Sequence, residues 1–323
     1  MNSKSLTIDL TGLLLPVTTP FNVDEDIDLA GLTANIQRWN NAGVTGYVAL
    51  GSTGERANLD EREYLQVLET VRRATPETLT FIAGAGQQST RGTISEVERA
   101  AASGADAVLV ITPSFYRSAI TQAALIDYYS AVADAAKIPV LLYSMPDLTG
   151  ISIEPETAAR LCRHPNIIGM KDSSNDVARF SRTGKLAGED FAMMIGNGTV
   201  FADALRAGAR GGILAVGCCA PEICLEIYRA SEANECERAT QLQARLTPLA
   251  RAVTKTYGIG GLKTAMEMAG YAGGSVRAPL RRPNEEAVAE IKQLLGNAVV
   301  SVPGAVREPR ASISRGVQDA TGS

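Results

Sequence analysis

Ile138-Pro139-Val140-Leu141-Leu142-Tyr143, a helix-length interval, then Asn166-Ile167-Ile168-Gly169-Met170-Lys171: this stretch decides the fold. Two short apolar runs, each ending in a polar group and separated by one helix with its loops, are the repeat of a parallel α/β sheet. Working outward, strand-like runs recur at residues 13–18, 46–50, 80–85, 107–112, 139–143, 167–171, 191–195 and 211–215. Helical patterns lie between them, as at 28–42, 60–74, 89–103 and 121–136, with Asp60 as an N-cap and Gly43 and Gly104 as stops. Eight such units predict a (β/α)8 TIM barrel rather than an open doubly wound sheet. No G-x-G-x-x-G follows the first strand, which weakens a dinucleotide-binding reading.

The chain continues past the eighth strand with helical patterns at 221–230, 235–257, 260–269 and 285–295. The expected organisation is a barrel over 8–232, a C-terminal helical extension over 233–297, and a disordered tail over 298–323, where apolar periodicity stops.

Composition narrows the function. The 323 residues are 45% hydrophobic with a net charge of −4 and no basic block, so no nucleic-acid partner is expected. No apolar run approaches the roughly 18–20 residues of a membrane span, and no signal-like core follows Met1, so a cytoplasmic location is expected. Five cysteines (162, 218, 219, 224 and 236) are odd in number and read as thiols rather than a disulfide framework or a zinc site. The one histidine, His164, sits in a helix-to-strand connection and is expected on the surface or in packing, so no metal is expected.

Chemistry gathers where the strands end, which in a barrel is one shared mouth. Lys171 ends the sixth strand and Tyr143 the fifth; the second runs into Gly51-Ser52-Thr53-Gly54-Glu55. A desolvated lysine releases a free amine that attacks a keto carbon, and the protonated imine that follows is an electron sink. With no histidine at hand, a phenol can carry the protons. A glycine-flanked turn with two hydroxyls suits a carboxylate. Glu55 is either a general base or, the reading favoured here, the residue that orders the turn. Each feature alone has a plain structural reading; their order on strands two, five and six is the specific signal. An amine, a phenol and an anion-binding turn equip the chain for Schiff-base chemistry on a small 2-oxo acid.

These residues resemble the pyruvate-dependent class I aldolase/lyase family that includes dihydrodipicolinate synthase and N-acetylneuraminate lyase. The resemblance spans about residues 10–297 and rests on G-S-T-G-E (Gly51 to Glu55), Y-x-x-P (Tyr143 to Pro146) and G-x-K-D (Gly169 to Asp172). It implies Lys171 as the Schiff-base lysine, Tyr143 as proton shuttle, and Ser52 as a hydroxyl that binds the pyruvyl carboxylate and relays protons. Gly51, Thr53, Gly196 and Ile213 fall among the implied substrate-binding positions. Pyruvate as substrate, no cofactor and a homotetramer are implied in the same way. Leu148 occupies the position where the synthase typically has an arginine for its second substrate. Tyr143-Ser144-Met145-Pro146 and Gly169-Met170-Lys171-Asp172-Ser173 look closer to 4-hydroxy-2-oxoglutarate aldolase, with Ser173 near the distal part of the substrate. Leu148, Ser144, Ser173 and Cys218 are expected to shape that end. Where the family often lends a tyrosine to a neighbouring subunit's relay, this chain has Phe115: either Tyr116 takes the role, or the relay uses Ser52 and water, or the activity differs from the family norm.

The expected activity is cleavage, or formation, of a 4-hydroxy-2-oxo acid to pyruvate plus an aldehyde such as glyoxylate. The alternatives are a Schiff-base sugar-acid dehydratase or deaminase, dihydrodipicolinate synthase, N-acetylneuraminate lyase, or a non-catalytic scaffold that binds 2-oxo acids.

Overall fold

Eight parallel strands pair in sequence order and close on themselves, the eighth against the first, in the computed structural model, which describes residues 8–299. They are β1 (Gly12–Pro16), β2 (Gly46–Ala49), β3 (Thr80–Ala85), β4 (Ala107–Ile111), β5 (Val140–Ser144), β6 (Ile167–Asp172), β7 (Ala192–Ile195) and β8 (Gly211–Ile213). The first connecting helices are α1 (Leu29–Trp39), α2 (Glu61–Ala74), α3 (Thr90–Ala102) and α4 (Gln122–Ala135). A one-turn α5 (Pro146–Thr149) caps β5 ahead of α6 (Pro155–Leu161); α7 (Val177–Ala187), α8 (Phe201–Arg206) and α9 (Pro221–Glu232) complete the ring. The TIM barrel expected from the alternation is the fold.

Alternation along each strand divides the core in two. Leu14, Val48, Ile82, Leu109, Leu141, Tyr143, Met194 and Ile213 fill the lumen. Their neighbours Leu13, Leu15, Tyr47, Phe81, Val108, Val140, Leu142 and Met170 pack outward against the helices. The helices bring matching stripes: α2 buries Tyr64, Val67, Leu68 and Val71, spaced to share one face. Its start is fixed by Asp60 and Glu63, which form a reciprocal capping box. The second strand's loop therefore has a rigid far anchor.

After α9 come α10 (Cys236–Arg251), a π turn (Ala252–Thr256), α11 (Gly258–Met268) and α12 (Glu285–Val299). One boundary needs correction. Helix α12 runs through residues 298 and 299, which were assigned to the tail, because Leu295 and Ala298 continue its buried face one turn further. The rest of the expected tail lies outside the described residues. No described helix is long and apolar enough to cross a membrane. All five cysteines are free. His164 receives the Asn166 amide on Nδ1 and pairs with Asp134 through Nε2, before β6 begins and so at the end of the barrel away from Lys171.

Candidate active site

Tyr143 and Lys171 stand opposite each other in the β5–β6 register and both face the lumen. Asp172 and Ser144, one residue on, point to the helix layer instead. Asp172 lies 3.8 Å from Arg179 of α7, and the Ser144 hydroxyl accepts the Ile153 amide 3.3 Å away. Ser144 is therefore withdrawn from the pocket that the sequence reading assigned to it: a lumen-facing Tyr143 forces its neighbour outward. Lys171 is 4% exposed and Tyr143 3%. The Lys171 Nζ sits 4.3 Å from the centroid of the tyrosine ring.

The phenol is the hub of a small polar set. Its oxygen lies 3.0 Å from Ser52 Oγ, and Ser173 and Lys171 stand close enough to favour its ionised form. Burial pushes this phenol's pKa up. The positive charge of Lys171, with the Ser52 bond and the nearby Ser173, outweighs that and holds it below the ordinary 10.0. No described carboxylate forms an ion pair with Lys171. The lysine thus meets a buried lumen beside the ring of Tyr143. Gly196 at the end of β7 leaves the room for this. A Cβ there would lie 2.0 Å from Ser173 Oγ and 2.7 Å from Lys171 Cε.

The turn after β2 is built under backbone constraint. Leu50 and Glu55, which bracket Gly51 to Gly54, both adopt left-handed conformations at φ 60 and φ 55. Each such residue costs on the order of 1–3 kcal/mol and persists only where its surroundings over-determine it. Here they do. Gly84 of β3 lets the Leu50 carbonyl approach to 2.3 Å from where a Cβ would stand. The Thr19 hydroxyl donates to the Gly54 carbonyl at 2.8 Å. Glu55 Oε1 meets Lys263 Nζ of α11 at 2.6 Å, both side chains 1% exposed. Glu55 Oε2 accepts the Arg277 amide and Asn58 Nδ2. Glu55 is thereby committed to holding the turn and is not free to act as a base.

The same clamp extends outward. Lys263 also donates to the Ser275 carbonyl at 2.6 Å, and Arg277 grips both carboxylate oxygens of Glu63. Phe21 lies between the two cations, each 4.4 Å from its ring. What this clamp presents is Ser52 and Thr53, the first residues of a 3-10 turn. Their backbone amides have no acceptor within that turn. The Thr53 hydroxyl has no hydrogen-bond partner among the described residues.

The structure thus brings Lys171, Tyr143, Ser52 and Ser173 together, with Gly51, Thr53 and Gly196 beside them. Ile213 lies in the lumen and is fully buried. Cys218 is buried too, its thiol donating to the Pro16 carbonyl at 3.2 Å, and burial raises its pKa well above the ordinary thiol value. Leu148 and Tyr116 stand apart on the rim, 64% and 69% exposed. Tyr116 packs edge-on against Phe115, with ring centroids 5.0 Å apart, and lines an open groove of about 610 Å³ with Glu61, Gln88 and Arg99. Lys263, Thr19 and Arg277 went unrecognised in the sequence; a lysine within the apolar pattern Gly260-Gly261-Leu262-Lys263 was the one available sign.

Residues 9–298 match the family model described as the Dihydrodipicolinate synthetase family. The chain is 35% identical over 289 residues to a 4-hydroxy-tetrahydrodipicolinate synthase of Haloarcula marismortui, covering 89% of this chain and 94% of the relative. A protein of the same name from Jannaschia sp. is 38% identical over 262 residues, 79% and 87% of the two chains. Among solved structures, YagE of E. coli K12 is a prophage protein of the dihydrodipicolinic acid synthase family, crystallised with pyruvate. It superposes with a TM-score of 0.83 at 29% identity, over 90% of this chain and 98% of that one.

Proposed function

The chain belongs to the dihydrodipicolinate synthetase family and is a class I, lysine Schiff-base, pyruvate-dependent aldolase or lyase; from that premise we propose that it cleaves a 4-hydroxy-2-oxo acid on Lys171. The observation that carries this is the buried set in which the Tyr143 phenol hydrogen-bonds Ser52 and the Lys171 Nζ lies 4.3 Å from the tyrosine ring, beside the turn after β2. The Lys171 amine adds to the keto carbon, and the carbinolamine loses water with the phenol passing protons. Removal of the C4 hydroxyl proton breaks the C3–C4 bond, releasing the aldehyde and leaving electrons in the enamine. Protonation at C3 and hydrolysis then return pyruvate and the free lysine. Ser52, Thr53 and the Gly51 turn hold the substrate carboxylate, with the Gly196 backbone alongside. Ser173, on the lysine's own strand end, faces the C4 hydroxyl.

A resemblance to 4-hydroxy-2-oxoglutarate aldolase supports the cleavage reading, as does Leu148 at the position where the synthase has arginine. The second reading is synthesis of 4-hydroxy-tetrahydrodipicolinate, favoured by the names of the Haloarcula and Jannaschia relatives. Pyruvate release from 4-hydroxy-2-oxo acids, assayed beside 4-hydroxy-tetrahydrodipicolinate formation, separates the two: faster product formation in the second assay would reject cleavage. The pH profile tests the relay. Above the phenol's lowered pKa the shuttle loses its proton, so the rate should fall on the alkaline side before pH 10.0 is reached. Ser52→Ala removes a bond that favours the phenolate and should move that limb to higher pH. A limb that stays in place removes Tyr143 as the titrating group.

The homotetramer and the cytoplasmic location are part of the same proposal. The exposed Phe115–Tyr116 pair supports assembly, since neighbouring large aromatics gain by being covered. In an assembly Tyr116 would offer the only phenol of that pair to a neighbour's relay. Sedimentation velocity decides this, a monomer removing the shared relay.

A further inference from the structure

Asp172, the residue after Lys171 on β6, is a buried carboxylate that the steps above do not use. Burying a carboxylate is unfavourable unless hydrogen bonds and a counter-charge offset it, and here the offset is partial. Oδ1 accepts the Ser174 amide at 2.8 Å. Oδ2 accepts no hydrogen bond among the described residues, and Arg179 Nη2 stands 3.8 Å from the carboxylate, beyond hydrogen-bond reach. The one hydrogen bond that the side chain makes is therefore local, and it closes the end of the strand that carries the lysine.

Ser173 lies one step past the last residue of β6, where strand pairing runs out. Its amide still donates to the Ser144 carbonyl at 3.0 Å, and the Asp172 carbonyl accepts the Gly196 amide at 2.7 Å. Beyond that the chain turns, and side chains take over from the sheet. The Ser174 amide donates to Asp172, the Asp176 amide to Ser174 Oγ at 3.3 Å, and the Arg179 amide to Asp176 at 2.9 Å. An aspartate that takes the amide two residues on forms a tight Asx turn. The backbone at Ser173 is thus fixed on both sides, and its hydroxyl lies with Lys171 Cε against Gly196, close enough to the Tyr143 phenol to favour the ionised form. We propose that Asp172 is a positioning residue: through the Ser174 amide it holds the Ser173 hydroxyl beside the Tyr143 phenol, the group that passes protons to the imine. The inference rests on the imine reading of Lys171 and deepens it with a residue that itself touches no substrate.

The experiment follows imine formation with pyruvate across pH, samples being quenched with borohydride and the adduct on the Lys171 peptide measured. Ser173→Ala removes a group that favours the phenolate, so the alkaline limb should move to higher pH. The rate should fall by about tenfold, the range of one hydrogen bond to a charged group. Asp172→Ala should do the same, and the double variant should be no slower than Ser173→Ala alone, because the one residue acts through the other. Asp172→Asn keeps a side-chain oxygen for the Ser174 amide and should recover most of the rate, although it loses the charge facing Arg179. A role in stability alone would lower the resistance of Asp172→Ala to urea and leave its limb in place, and that result overturns the proposal. So do losses that multiply in the double variant. If Asp172→Ala does not fold, Asp172→Asn and Arg179→Met decide the matter. Both keep the hydrogen bond of the turn and should hold the wild-type limb; a limb that moves in either assigns the effect to charge and rejects positioning. If pyruvate leaves no adduct on the wild-type protein, the imine reading fails and takes this one with it, a result distinct from any movement of the limb.

Discussion

Lys171→Ala is expected to leave a folded protein that forms no borohydride-stable adduct with pyruvate. Its turnover should fall by on the order of 10⁴-fold or more, since the loss of a covalent nucleophile is not made up by the rest of a site. The fold should survive because Lys171 holds no ion pair among the described residues, so its removal leaves no buried charge unpaired. Lys171→Arg should not rescue, because a guanidinium stays protonated and cannot attack a carbonyl. Losing the Lys171 charge also removes the main effect lowering the Tyr143 pKa, so that phenol should titrate higher in the alanine variant. The check is mass mapping of the reduced protein together with steady-state kinetics. An adduct that persists on another lysine in the variant would move the chemistry elsewhere.

Lys263→Met should be the most damaging substitution for stability. It leaves the Glu55 carboxylate buried without its counter-charge, a loss of about 3–5 kcal/mol for a broken buried pair. Burial lowers the Lys263 pKa, and the attraction of Glu55 works against that, so each partner is tolerated because of the other. Glu55→Gln combined with Lys263→Met should therefore cost less than the sum of the two single changes, because no lone charge remains. Urea denaturation of the three variants measures this; additive losses would show that the pair is not coupled. Function should follow stability here. The pair holds the left-handed Glu55 that shapes the turn, so the variants that fold should need more pyruvate for half-maximal trapping.

Both expectations bear on what the chain reveals before it folds. The alternation of apolar runs and helical stripes is local, and it was legible: the eight strands, the capped start of α2, and Tyr143 and Lys171 at the tips of neighbouring strands. Because side chains alternate along a strand, fixing the strand end also fixes which residue faces the lumen. The G-S-T-G-E turn was legible in the same way, as hydroxyls and glycines in one short segment.

Other features are properties of contacts between distant segments. Helix α12 passes its expected end because Leu295 and Ala298 find a buried face, which no count along the tail reveals. Ser144 reads as a pocket residue beside Tyr143 until the pleat turns it to the helix layer. The left-handed Leu50 depends on a glycine in the next strand. The Glu55–Lys263 pair likewise joins segments that local pattern cannot bring together. By itself, then, the sequence determined the barrel and the lysine, tyrosine and turn at its mouth, since strand periodicity and strand ends are set within a few residues. Tertiary structure alone decided what steadies that turn, since the Glu55–Lys263 pair depends on closing the barrel and folding the C-terminal helices back against it.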